Sequence, residues 1–365
     1  AWMPESYLEN VRELTTYIEE QNEATKGKTV EEQCREYDEY IVRDAEWNRR
    51  AQEIYAVEPT IDWNVLQEKI GKNEWPGPRS CKNPYRPCGL YETMLCRIMP
   101  YTMKGVIWYQ GESDDHKPNM YAKLFSRMID NWRTDWNDDT LPFIFVQLTV
   151  NRYKQDKDFK HWCLIREAQE KVSKTVKNTF MTVIMDQGAF NDIHPKAKKI
   201  VGERLEKIAM RTQYGKKLSD EETFSPTLAS FISKDGKIIL TLDNAKGGFI
   251  LKEKTEELVH LIEMEKIQGN DKISAMVNGK WTGFEVMAKN GIWYSAEPVF
   301  VGNKIEVSSA EVSFPVAARY NWFNYCPVTV YNKKGLPLAP FRTNKNEKLI
   351  TEHADVQEVM TVATK

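Results

Sequence analysis

The 365-residue chain is 41% hydrophobic with a net charge of −2, enough apolar content for packed cores and a length that predicts two domains. So balanced a charge offers no electrostatic pull toward nucleic acid or an anionic membrane, and no run approaches the ~18 apolar residues of a membrane span. Lys and Glu are abundant but interspersed, the pattern of solvated helix faces.

The first residues, "AWMPESYLENV", carry no initiator Met, no basic n-region and no apolar h-region. They read neither as a signal peptide nor as a natural start, and the chain is expected to be one entered part-way. From Tyr7 to about Lys72 apolar residues recur at three- and four-residue spacing in a highly charged background, which predicts helices packing one face on the body. The segment Glu74–Pro87 is a Pro-rich loop. "LYETMLCRIMPYTM" reads as a helix feeding a buried strand at Val106–Tyr109.

Alternating elements follow: a helix over Met120–Trp136, a strand in "FIFVQLT", a helix over Trp162–Val176, a strand in "TFMTVIMD", and a helix over Pro195–Met210 with Pro195 in its first turn. Nearly all-apolar strands alternating with helices predict a parallel sheet covered on both faces. Sites in such sheets form at the carboxyl ends of the strands, here "YQGESDD", "QLTVNRY" and "DQGAFNDIHP". After about Tyr214 the chain changes to short alternating strands punctuated by Gly, Asn and Asp, which predicts an antiparallel β domain of sandwich type. The expected organisation is an α/β domain over 1–214 with a helical insertion at about 7–80, a β domain over 215–343, and a polar tail over 344–365.

None of the six cysteines forms a CxxC pair, so no zinc site is read. Cys81 and Cys88 flank a Pro-rich loop and are either a disulfide or two thiols. No metal or other cofactor is expected.

His194, in "NDIHPKAKK", lies after a strand and before a helix, where a histidine suits general-base work; a helix-capping or loop histidine is the competing reading. Asp192, two residues earlier, is placed to orient the ring. Gln110, at a strand end, offers an amide to a developing oxyanion, and Glu112 offers a carboxylate to a neighbouring group or a substrate hydroxyl. The bland alternative for both is hydrogen bonding that closes the strand end. Trp108 and Tyr109 read as core and rim aromatics. Arg166 and Gln169, three apart on a helix, share a face, either toward the cleft or in a structural salt bridge. His116, His161, His260 and His353 show no partner pattern and are expected at the surface.

The blocks "GVIWYQGESDD", "NMYAKLFSRMIDNWR", "LPFIFVQL", "WCLIREAQ", "NDIHPKAKKIVGERL" and "RYNWFNYCPVTVYNKKGLPLAPFRT" resemble, in order, the sialate O-acetylesterases, carbohydrate esterases of the SGNH-hydrolase type. The resemblance runs from about Leu90 to Thr343. It implies a flavodoxin-like three-layer α/β/α esterase domain, incomplete at its N-terminus, with a C-terminal antiparallel β domain. It implies hydrolysis of O-acetyl esters on sugars, most of all sialic acid, by Ser–His acyl transfer, with His194 as base, Gln110 as oxyanion-hole amide and Glu112 completing the "QGE" block.

Two features depart from that pattern. The family's nucleophile sits in a GQSN-like turn after the first strand, and no GxSN or GDS turn occurs in these 365 residues; Ser113 belongs to a different block and is not the nucleophile. The serine is therefore expected upstream of this chain. The wider pattern also places an Asp three before the His, where this chain has Asn191, with Asp192 one residue late. Either Asp192 reaches His194 or a backbone carbonyl orients the ring. The expected partner is an O-acetylated sugar or glycan, with no nucleic acid, no membrane and no inference on oligomeric state; the family implies export. An acetylxylan esterase of the same fold and a non-catalytic carbohydrate-binding or scaffold protein are the rival readings.

Overall fold

The computed structural model describes residues 1–346 except positions 10, 60, 100, 153–155, 189–191 and 271–272. The expected polar tail therefore lies, from residue 347, outside the described residues, as do His353 and Asn191. The described residues divide into two compact units, one formed by residues 1–104 and 122–141, the other by 105–121 and 142–346.

The first unit is helical: α1 (Glu5–Glu9), α2 (Arg12–Thr25), α3 (Val30–Val57), α4 (Trp63–Ile70), a π turn at Tyr91–Leu95 running into α5 (Cys96–Ile98), and α6 (Pro118–Asp135) from Ala122 onward. A capping box starts α3: the Thr29 hydroxyl accepts from the Glu32 N–H, and the Glu32 carboxylate accepts from the Thr29 N–H at 2.8 Å. Such caps stabilise a helix by about 1 kcal/mol. Leu66 and Ile70 of α4 pack against Ala51 of α3, with Trp47, Ile54 and Trp63 around them. The N-terminal residues are bound to α6: the Trp132 indole donates to the Trp2 carbonyl at 3.0 Å, and Arg127 stacks 4.9 Å above the Tyr7 ring.

The second unit holds the strands. β1 (Val106–Trp108), β2 (Phe143–Gln147) and β3 (Thr179–Val183) form a parallel sheet in the order β1-β2-β3, as the apolar runs predict. All of β2 is buried. Side chains alternate across a strand. Ile144 and Val146 meet Val201, Leu205 and Ile208 of α8 (Lys198–Thr212) on one face. On the other, Gln147 donates to the Arg166 carbonyl of α7 (His161–Thr175) at 3.1 Å. Each large apolar side chain so buried stabilises by about 1.5–3 kcal/mol.

After the short α9 (Asp220–Thr223) come the antiparallel strands. β4 (Thr227–Lys234) and β5 (Lys237–Asp243) pair with β11 (Glu297–Val301) and β12 (Lys304–Ser308) in the order β11-β12-β5-β4. β9 (Phe284–Met287), β10 (Trp293–Ser295), β13 (Ala317–Tyr320) and β15 (Phe341–Arg342) form a second sheet in the order β10-β9-β13-β15. Ile238, Leu240 and Val307 from one sheet and Phe284, Val286 and Tyr320 from the other share one core, which is a sandwich. Two smaller pairs, β6 (Phe249–Leu251) with β14 (Val330–Asn332) and β7 (Met276–Val277) with β8 (Lys280–Trp281), flank it. The helix α10 (Thr255–Ile267) interrupts this region; an all-strand reading missed it, although its buried Leu261 and Met264 stand at helical spacing.

The loop "RYNWFNYCP" ties the sandwich to α7. Asn324 Oδ1 accepts from the Trp162 N–H at 3.1 Å, and its Nδ2 donates to Asp156 at 3.0 Å. Its carbonyl accepts from the Asn151 N–H at 3.0 Å. No described helix is long and apolar enough to cross a membrane.

Candidate active site at the strand ends

The end of β1 is fixed by a glycine. Gly111 has φ 152°, and a Cβ there would lie 3.1 Å from Gln169 Nε2 and Leu148 Cγ and 3.2 Å from Ile165 Cγ2. Both the backbone conformation and the space demand glycine. The buried Gln169 of α7 links two strand ends: its Oε1 accepts from the Leu148 N–H at 2.8 Å, and its Nε2 donates to the Gln110 carbonyl at 3.2 Å. The Tyr121 hydroxyl donates to the same carbonyl at 2.9 Å. The Gln110 backbone is thereby held from α6 and α7 together.

The Gln110 side chain donates to Asp114 Oδ2 at 2.5 Å, within the short helical turn Glu112–Asp114. An amide NH₂ has two N–H donors, so this bond orients the group while a second N–H remains to be placed. Glu112 is half-buried. Burial pushes its carboxyl up; backbone N–H groups of Glu112 and Gly111 and the positive fields of His194 and Lys198 oppose that. Burial, with the Glu112 charge behind it, pushes the Tyr109 hydroxyl up to about 12, and Lys198 Nζ sits 4.4 Å above the Tyr109 ring. Lys198 and Tyr109 thus bring the start of α8 to the end of β1, with Glu112 within electrostatic reach of Tyr109, His194 and Lys198.

The end of β3 carries the histidine. Gly188 follows the turn Met185–Gln187, and a Cβ on it would lie 2.5 Å from the Val150 carbonyl and 2.6 Å from Thr149 Oγ1. Asp192 is half-buried and its Oδ1 accepts from the His194 backbone N–H at 2.9 Å; the His194 side chain is exposed. The expected helix start needs correction. Helix α8 begins at Lys198, not Pro195; ahead of it, Asp192 holds a separate local turn by taking up the His194 N–H. The helix is anchored one side of the loop away: Arg204 makes a fork with Asp186 at 2.7 and 2.8 Å and donates to the Val183 carbonyl at 2.7 Å.

Gln110 and Glu112 follow β1 and His194 follows β3, the two strands on either side of β2; His194 is within electrostatic reach of Glu112, and Asp192 lies in the turn that presents His194. The reading of Arg166 needs correction. It is fully buried on α7, but its partners include the carbonyls of Phe323 at 2.6 Å and Trp162 at 3.2 Å and the sulfurs of Met185 at 2.6 Å and Cys163 at 3.7 Å, and among the described residues it forms no salt bridge. His161 is also not at the surface. It is buried, with Nε2 3.5 Å from Asp115 Oδ2 and Nδ1 3.2 Å from the Asn324 amide. Burial lowers its pKa and raises that of Asp115 well above the usual carboxylate range. The Arg204–Asp186 fork and the Gln169 bridge were missed; both depend on tertiary contacts that no spacing signals. Among the described residues no group of three or more His, Cys, Asp or Glu side chains is arranged to hold a metal ion.

Residues 76–211 match the family model described as carbohydrate esterase, sialic acid-specific acetylesterase. The chain is 30% identical over 176 residues to sialate O-acetylesterase of Mus musculus, covering 44% of this chain and 32% of that protein. It is 28% identical over 230 residues to sialate O-acetylesterase of Rattus norvegicus, covering 54% and 42%. Its structure is similar to the crystal structure of a carbohydrate acetylesterase from Xanthomonas citri, with TM-score 0.57 and 30% identity over 70% of this chain and 53% of that one. The chain thus spans less than half the length of these curated relatives and about half of the solved one. The segment that matches the carbohydrate esterase, sialic acid-specific acetylesterase family model, residues 76–211, contains Gln110, Glu112, Asp192 and His194.

Proposed function

We propose that the chain forms part of an esterase that removes O-acetyl groups from sugars, with sialic acid as the first substrate to test. The observation that carries this reading is the rigidly held Gln110 at the end of β1, with Glu112 and His194 within electrostatic reach of each other, inside the family-matched segment.

The nucleophile in this proposal is a serine from outside these 365 residues, since the sequence contains no GxSN or GDS turn. In the described sheet β1 is an edge strand, whose outer backbone N–H and C=O groups a further strand would pair. The serine Oγ attacks the acetyl carbonyl and His194 takes its proton. The negative charge that grows on the carbonyl oxygen is met by the remaining Gln110 N–H and by backbone N–H groups. The sugar hydroxyl leaves with the proton from His194. Water, deprotonated by His194, then releases acetate and restores the serine. Asp192 holds the turn that presents His194, and Glu112 lies within electrostatic reach of the imidazole, where its charge favours the imidazolium formed during the reaction. An O-acetylated glycan partner and export go with this reading.

The test is acetate release by the whole protein from O-acetylated sialic acid and from acetylated xylan, in the presence of a chelator. Faster release from the sialic acid supports the reading. Faster release from xylan assigns the same chemistry to a plant glycan, and no release from either, or from p-nitrophenyl acetate, favours a binding protein.

A further inference from the structure

Cys34 and Cys81, 47 positions apart, meet with their sulfurs 3.9 Å from each other. Cys34 is half-buried in the first turns of α3, and Cys81 is exposed in the Pro-rich loop. The meeting is built by its surroundings. The Cys81 N–H donates to Gln33 Oε1 at 3.0 Å, and the Ser80 hydroxyl donates to the Gln33 carbonyl at 2.8 Å. The Arg86 guanidinium donates to the Cys81 carbonyl at 2.8 Å, and Lys82 pairs with Asp38. Three contacts, from Ser80, Cys81 and Lys82 to Gln33 and Asp38, thus fix the loop against one stretch of α3, and Arg86 braces the loop from within. A disulfide needs the sulfurs ~2.0 Å apart, so closure asks for about 1.9 Å of movement, within reach of side-chain rotation.

The other thiols differ. Cys88, Cys163 and Cys326 are buried. Burial pushes Cys88 up to about 11 and Cys163 up to about 12, and raises Cys326 as well; burial and the neighbouring Cys81 also raise Cys34, so what sets the Cys34–Cys81 pair apart is that its two sulfurs meet and Cys81 is exposed. Cys96 is exposed and serves as an internal control. The position of Cys81 beside Cys34 also decides between the alternatives left open for the Cys81–Cys88 loop: Cys88 is a buried free thiol.

We propose that Cys34 and Cys81 are a redox-responsive pair that closes into a disulfide and locks the Pro-rich loop onto α3. The oxidant is a small-molecule or protein disulfide. The Cys81 thiolate, the more exposed, attacks one oxidant sulfur; a mixed disulfide forms and one thiolate leaves. The Cys34 thiolate then attacks the Cys81 sulfur, the Cys34–Cys81 bond forms, and the second oxidant thiolate leaves. Two protein thiols lose their protons and two electrons pass to the oxidant.

The test equilibrates the whole chain in glutathione buffers from reducing to oxidising, blocks the remaining thiols, and maps the peptides by mass spectrometry. The expected result is a Cys34–Cys81 cross-linked peptide, with Cys88, Cys163 and Cys326 recovered as thiols. The oxidised protein melts several degrees higher, because the link restricts the unfolded chain, and a dithiol reverses the gain. Cys34→Ser and, independently, Cys81→Ala abolish both the cross-link and the gain. A Cys81–Cys88 link, or separate glutathione adducts on Cys34 and Cys81 like that on Cys96 with no cross-link at any poise, overturns the proposal.

Discussion

Arg204 grips Asp186 through two hydrogen bonds at 2.7 and 2.8 Å, and this pair spans the loop that carries His194. Both side chains are over nine-tenths buried. Removing one partner of such a pair strands a buried charge, at a cost of about 3–5 kcal/mol. Asp186→Ala is therefore expected to lower unfolding stability by about that amount in denaturant titrations. A change below about 1 kcal/mol would place the pair among weak surface bridges instead.

Gly111→Ala tests the end of β1. The new methyl group meets Gln169, Leu148 and Ile165 at 3.1–3.2 Å in a backbone conformation that L-residues rarely adopt. The strain costs on the order of 1–3 kcal/mol and displaces the Gln110 carbonyl from Gln169. A thermal melt equal to that of the parent chain would show that the turn yields freely.

Glu112 gives a pH-dependent prediction. Its carboxyl is raised by burial, so the folded state binds its proton more tightly than the unfolded state does. That contribution to stability is fully present below the unfolded pKa of about 4.3 and is lost as pH rises through the folded value. Glu112→Gln carries no such loss. The variant should melt like the parent at about pH 4 and increasingly above it toward neutral pH, while esterase activity of the whole protein falls. A melting difference that does not change with pH would remove the buried charge from this explanation.

The parallel sheet was legible because β1, β2 and β3 are almost wholly apolar, and the sandwich because β5 and β12 alternate buried and half-buried positions. His194 and Gln110 were legible as polar residues placed where strands end. Gly111 was legible only as part of a motif; the reason for it is the approach of Gln169, 58 positions away. Arg204 and Asp186 stand 18 positions apart on different elements, and nothing in either segment announces the other. His161 defeated a surface assignment because its partners, Asp115 and Asn324, come from two distant loops. Local pattern reports which face of an element is buried, not which polar groups meet there.

Asp192 has a role visible in the backbone: its carboxylate accepts the His194 N–H. An asparagine oxygen can accept the same bond. Asp192→Asn in the whole protein is therefore expected to keep activity within about tenfold, whereas a lost ring-orienting carboxylate costs up to ~10⁴. A loss of the larger size would move Asp192 from the turn to the imidazole.

The most direct measurement is acetate release from O-acetylated sialic acid by the whole protein carrying His194→Ala. Loss of the base should lower kcat by ~10⁴ or more while the fold, read by circular dichroism, is retained. A folded variant that turns over near the parent rate would contradict the proposal of His194 as the base and, with it, the esterase site proposed at these strand ends.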